Sequence, residues 1–544
     1  MYWLIKAEVS HTTNFESLIE LCESLGCEYL QKIRKADNAK YTSERFMQEV
    51  VEALGKVVHD DILKEVKASP FFAILADETT DIAVLEQLIL YVRHVSDKGI
   101  IKCLFLGTFE LSNCKAQTIT DKICSVCNDL DLSMNGKMCG FKSDRASTMI
   151  GSRNGVAAKL KEKVPWLVNN HCLAHRLALA CSQAAEAIPY MKKFKDIVAQ
   201  MYRFYDYSAV RTAGLKDIQS VLGAPDLKLK RASDTRWLSH DQAITAIRKS
   251  LPSIITSLQK EATERNDAQA LGLSKFICTY QFVASVYMMS DILPILSQLS
   301  KLFQKKNLNF SLIQPLVKST VTQLETLKTV PWAFFQQVDD VISNQLKDFN
   351  IRSSSKDSFK HNVYNKYFEN LCKHVEDRFA DADLLESFSV FDSFTWPEEY
   401  LPGDGEEHIE ELIKHYQPVV ERQATLAEWK TFVNAVQAKA DLKGKDSREL
   451  LTALVQQTSL QYIFPNLHKL AVIALVIPMS SADCERGFSD LKRIKPRLRN
   501  RLSNRILNHL LMISIEGPML EEFDFEKAAD IWGAQKNRRI TVTS

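Results

Sequence analysis

Hydrophobic positions change period along this chain, and each change marks an element. Near the N-terminus Phe15, Leu18, Ile19, Cys22 and Leu25 recur at helical spacing. Phe46, Val50, Val51 and Leu54 repeat the pattern after Thr42 and Ser43, a pair suited to cap a helix. At Pro70 the period shortens. Phe71 to Ala76 is an unbroken apolar run that stops at Asp77, as a buried strand does. Glu86 to Val95 and Ile100 to Leu111 predict two more strands, with a turn at Lys98-Gly99 between them. Lys115 to Leu130 predicts a helix, and Met138 to Phe141 a fourth strand that ends near Asp144. Gly155 to Val164 predicts a helix, and Val168 to Cys172 a fifth strand running into a helix from about His175 to Ala187. Three strands, helix, strand, helix, strand, helix is the order of an α/β layer with a mixed sheet.

Beyond this point the period is helical. Residues 190–245 are basic, with Lys192, Lys193, Lys195, Arg203 and Arg211, and end in the polar segment Ser233 to Ser239. Residues 246–460 are nearly all helical in pattern. A Ser-rich break at 352–358 and a stretch rich in Pro, Gly and acid at 393–407 interrupt them. A block of that size is far longer than an ordinary loop, so it reads as an all-α insertion. An apolar helix follows, starting near Pro465 and stopped by Pro478, and Arg505 to Ile515 carries a second apolar face. The resulting division is a helical lead-in over 1–69, a first core part over 70–245, the insertion over 246–460, a last core part over 461–516, and a helix and tail over 517–544.

Composition narrows the class. The chain has 544 residues, 46% hydrophobic and 25% charged, as a soluble globular protein does. No apolar run is expected to span a bilayer, and the start lacks the layout of a secretory signal, so an intracellular location is expected. The twelve cysteines follow no repeating frame, and Cys124-x-x-Cys127 has no second pair at zinc spacing. They read as reduced core residues. No glycine loop for nucleotides and no nucleophile elbow is present.

Charge adds one local feature. The net charge is only +2, yet Lys492, Arg493, Lys495, Arg497, Arg499 and Arg501 follow one another with no acid before Arg505. Such a stripe either faces phosphates or forms a solvated helix end and loop. Glu485 lies just upstream, on the expected first turn of a helix, where it also suits the positive end of the dipole. Asp77 and Asp144 both follow apolar runs at strand ends. Alone, either starts a turn. Together, two carboxylates on neighbouring strand ends could share divalent ions, and a third acid would complete the ligands.

Five blocks stand in a telling order: Phe72 to Asp81, Ser143 to Val156, His171 to Leu179 with Cys172 and His175, Asp234 to Ser239, and Ser480 to Ser503. In this order they resemble the hAT superfamily of DNA transposases, in particular its host-domesticated vertebrate descendants. The resemblance implies a ribonuclease-H-like core interrupted by a large all-α insertion. It implies a catalytic triad of Asp77, Asp144 and Glu485, which would also hold two Mg²⁺ or Mn²⁺ ions. It places Arg236 and Trp237 near DNA, with Trp237 stacking on an unpaired base; Trp237 reads equally as a core anchor. Cys172 and His175, three apart, read as packing on one helix face rather than as zinc ligands. The implied partners are DNA, held through phosphates by the basic stripe, and further copies of the chain in at least a dimer. No membrane and no small-molecule substrate is implied, and the location is the nucleus. No zinc-finger module of the family's kind is visible, so sequence-specific reading of DNA is not expected. The competing reading is a non-enzymatic nuclear protein that dimerises and binds chromatin or protein partners.

Overall fold

The first helices are amphipathic and bury one stripe each. α1 (Tyr2–Lys6), α2 (His11–Ser24) and α3 (Glu44–Ala68) lead into the sheet. Ser43 caps α3, its hydroxyl accepting from the Phe46 amide, as the Thr42-Ser43 pair predicts. Then come β1 (Phe72–Thr80), β2 (Glu86–Val95) and β3 (Ile101–Glu110). Phe72 to Ala76 and Leu88 to Val92 are all buried, which is why both strands read as continuous apolar runs. α4 (Ala116–Asp129), β4 (Met138–Lys142), α5 (Val156–Lys163) and β5 (Val168–Asn169) complete the layer.

The sheet order is β3-β2-β1-β4-β5. β2 runs antiparallel to β1 and β3, while β4 runs parallel to β1 and β5. This is the mixed sheet of the α/β, RNase-like reading. The computed structural model describes residues 1–27, 41–80, 86–143, 147–151, 153–169, 173–232, 237–304, 310–330, 333–379, 383–397, 403–439, 441–478 and 503–535.

At Leu173 the chain enters a second compact unit, Leu173–Ser389; Met1–Cys172 and Val390–Ser544 make up the first. The second unit is helical: α6 (Leu173–Glu186), α7 (Pro189–Asp206), α8 (Ala209–Val221), α9 (Trp237–Glu264), α10 (Ala268–Ile277), α11 (Tyr280–Phe303), α12 (Ile313–Thr329) and α13 (Asn365–Phe379). Packing starts this unit at 173 and ends it at 389, where the hydrophobic pattern draws 246 and 460. The reason is that α6 spends its apolar face on α13 and α11, and α8 packs on α9. One expectation is corrected. α11 is long and apolar enough to cross a membrane by length and composition, although no run of that length is expected from the sequence. In this fold 89% of its most apolar window is buried, as in the core helix of a helical unit.

The return to the first unit brings α14 (Glu406–Tyr416), α15 (Arg422–Ala438), α16 (Ser447–Gln456), α17 (Pro465–Val476), α18 (Asn504–Glu516) and α19 (Phe525–Ala534). α14 docks on the segment before β5: His415 Nε2 is 3.0 Å from the Trp166 carbonyl, and Tyr416 meets the Trp166 ring edge-on. α17 begins at Pro465, as predicted. Its first turn donates the Asn466 and Leu467 amides to the Glu428 carboxylate, an acid at the positive end of a helix. α18 packs on α3 and β3, and α19 on α3. Tyr2 Oη donates to the Pro518 carbonyl at 2.6 Å, tying α1 to the segment just after α18.

Candidate carboxylate site at the ends of β1 and β4

Strand alternation puts Ala73, Leu75 and Asp77 on one face of β1, and Ile74, Ala76 and Glu78 on the other. The register extends Asp77's face across the sheet. Ala73 pairs with Arg93 on β2 and with Gly140 on β4, and Leu75 pairs with Lys142. Those three residues hold the end of α17. The Arg93 guanidinium donates from Nε and Nη2 to the Leu475 carbonyl, at 3.2 and 3.0 Å. Lys142 Nζ donates to the Pro478 carbonyl at 3.2 Å. Gly140 allows the approach, since a Cβ there would stand 3.1 Å from Pro478 Cδ and 3.0 Å from the Ala73 Cβ. Two cations thus meet the carbonyl end of α17, where the helix dipole favours them. The chain segment from 475 to 478 is seated on the face of the sheet that carries Asp77.

Asp77 itself lies late in β1, opposite Ile89 of β2, and is half-buried. A carboxylate placed so, with only oxygen donors to offer, suits a hard divalent cation. Asp144 comes two residues after Lys142 in the chain, and Glu485 seven residues after Pro478; both lie outside the described residues. So do Arg236, Lys492, Arg493, Lys495, Arg497, Arg499, Arg501 and Cys172. Trp237 is the first residue of α9, and His175 falls within α6, both in the helical unit. Among the described residues, no three His, Cys, Asp or Glu side chains converge as a metal cluster.

The opposite face of the sheet has a different chemistry. Cys114 Sγ lies 3.1 Å from Glu86 Oε2. Burial first, then the carboxylates of Glu86 and Glu78, push this thiol up to about 12, which keeps it in the protonated form at neutral pH. Sequence reasoning does not single out Arg93, Gly140 or Lys142. The signal available was a lone charge inside a strand read as buried: Arg93 in YVRHV and Lys142 in MCGFK.

Residues 6–155, which take in the strands from β1 to β4, match the family described as ZMYM1/FAM200, RNase-like domain. Residues 454–515, which take in α17 and most of α18, match the hAT family C-terminal dimerisation region. The chain is similar to the human protein named 52 kDa repressor of the inhibitor of the protein kinase. The two are 21% identical over 550 residues, covering 94% of this chain and 70% of that protein. The mouse protein of the same name is 21% identical over 549 residues, covering 94% of this chain and 71% of that protein. With an RNase-like domain early in the chain and an hAT dimerisation region late in it, this protein fits a domesticated hAT transposase.

Proposed function

We propose that this hAT-derived protein keeps a divalent-metal centre for DNA cleavage and strand transfer, built from Asp77, Asp144 and Glu485. The observation that supports it is the seating of Leu475 to Pro478 on Asp77's face of the sheet. The described residues before Glu485 end at Pro478 on that face, and those before Asp144 end at Ser143, one residue after the neighbouring strand. The three carboxylates would hold Mg²⁺ or Mn²⁺, which when bound activates water or a 3′-hydroxyl and stabilises the leaving oxygen. The chain's own residues do the rest. The sheet orients Asp77, while Arg93 and Lys142 anchor the C-terminal end of α17. Lys492, Arg493, Lys495, Arg497, Arg499 and Arg501 contact phosphates, and Arg236 and Trp237 engage the strand being processed. Copies associate through residues 454–515 into at least a dimer, and the protein acts in the nucleus.

The decisive test is Mn²⁺ binding to the purified chain, wild type against Asp144→Asn. Binding that disappears in the variant supports the centre and calls for cleavage assays on hairpin DNA. Equal binding in both, or none in either, sinks it.

A second reading is favoured by the match over 454–515 and by relatives whose name is that of a repressor. In it the protein is a non-enzymatic nuclear dimer that binds chromatin or protein partners. Light scattering during gel filtration tests that reading, and a strict monomer with no affinity for DNA counts against it.

A further inference from the structure

No Asp, Glu, Lys or Arg falls between Glu449 and Lys469, in a chain that is 25% charged. Part of that stretch is core, but its middle is surface. The short helix Thr458–Ile463, between α16 and α17, leaves Tyr462 88% and Ile463 55% exposed. Gln456, Thr458, Ser459 and Pro465 are exposed around them, and none carries a charge. The short helix is held from below. Leu460 and Phe464 are buried, Phe464 meets the Phe432 ring edge-on, and Gln461 Nε2 donates to the Val455 carbonyl at 2.6 Å. Gln456 Nε2 also donates to the Gly99 carbonyl at 3.4 Å. That bond brings the turn between β2 and β3 alongside, where Ile100 is 49% exposed.

A solvated surface is normally rich in charge; loss of charge beside an exposed aromatic side chain marks the centre of an interface. The described helices of the dimerisation-region match offer little else. α17 is spent on α16 and the sheet, and α18 on α3 and β3. Among the described residues of 454–515, Tyr462 and Ile463 are the large hydrophobic side chains left exposed. We propose that Tyr462 and Ile463, with Ile100 at their edge, form the surface on which a second copy of this chain docks. This rests on the reading of residues 454–515 as the region through which copies associate. A copy fits better than a different protein because the patch suits itself. In a two-fold dimer the same surface meets itself, so a patch with a single sign of charge would repel its counterpart. This one carries none. Its Gln, Ser and Thr side chains hold both donors and acceptors, so each has a partner in its own counterpart. Set by Leu460 and Phe464, the two anchors lose little freedom on docking. The RNase-like domain thereby adds Ile100 to a contact led by the late region.

The test is light scattering during gel filtration of the full chain over a concentration series, for wild type and for the double variant Tyr462→Glu, Ile463→Glu. The wild type is expected to be a dimer. The double variant is expected to be a monomer with unchanged circular dichroism, because both side chains face solvent. Its self-association should weaken at least about a hundredfold, as when interface anchors are lost. A folded double variant that stays a dimer overturns the inference and leaves association through residues 454–515 standing. A wild type that is monomeric across the whole series removes both. If the double variant does not fold, Tyr462→Ser and Ile463→Ser replace it singly, each expected to weaken association about tenfold. No weakening in either overturns the inference.

Discussion

The side-chain amide of Asn508 pairs with the backbone of Thr108 as a neighbouring strand would. The Thr108 amide donates to Asn508 Oδ1, and Asn508 Nδ2 donates to the Thr108 carbonyl, both at 2.6 Å. Glu516 Oε1 accepts from the Phe105 amide at 2.7 Å along the same strand. β3 is an edge of the sheet, and open edges invite pairing with other chains. α18 therefore closes the edge with side chains.

Asn508→Leu should leave both Thr108 groups unpaired in a partly buried place. A loss of about 2–3 kcal/mol is expected, measured by urea unfolding, together with aggregation seen by light scattering. Asn508→Asp keeps an acceptor but no donor and should fall between the two.

Two glycines in helices should respond in opposite senses. A Cβ on Gly55 would stand 2.6 Å from His509 Cβ, so α3 and α18 approach only because the position is bare. Gly55→Ala should cost about 1–3 kcal/mol through overpacking. Gly272 in α10 has nothing within 4 Å of where its Cβ would be. Gly272→Ala should raise stability by about 0.5–1 kcal/mol, because glycine is the poorer helix former. Thermal melts of the two variants check both signs.

Stability should fall in mild acid. Burial, then the nearby His59 and Arg505 charges, lower His509 to about 4. Burial also lowers His59, His94 and His415. Each of these groups is more readily protonated in the unfolded chain, near the ordinary histidine value of about 6.5. Their contribution is therefore complete above about pH 6.5 and is lost as pH falls toward 4. At about 1.4 kcal/mol per pKa unit, His509 accounts for roughly 3 kcal/mol of this. Urea midpoints at pH 7, 6, 5 and 4.5 should decline, and the decline should be shallower in His509→Leu.

Affinity for DNA should come mainly from phosphate contacts and fall steeply with salt. Reversing the charge at Arg497 and Arg499 together should weaken binding to all sequences alike and reduce the salt slope by about two. Fluorescence anisotropy over a salt series measures both. Unchanged affinity in the double variant would place the DNA contacts elsewhere.

Much of the fold was legible in the hydrophobic pattern. β2 to β4 lie within a residue of the runs that predict them, β1 runs four residues past its apolar run to Thr80, and Ser43 and Pro465 open their helices as expected. These features depend on hydrogen bonds and spacing within a few residues, so local sequence carries them. Asp77 stood out as the acid that closes the apolar run, but the strand does not stop there and continues to Thr80. The division of the helices was not. α6 to α8 read as part of the core, yet they belong with α9 to α13, because an amphipathic face does not name the helix it will cover.

What the sequence by itself determined is therefore most of the set of local elements. Only the tertiary structure decided that β1 lies between an antiparallel and a parallel neighbour, and which side of the sheet receives α17. It also buried Lys142, which lies just past the predicted strand Met138 to Phe141. The physical reason is range. Lys142 meets Pro478 336 residues away, Arg93 meets Leu475 382 residues away, and Thr108 meets Asn508 400 residues away. No local period encodes such contacts; they exist once the whole first unit has closed around its sheet.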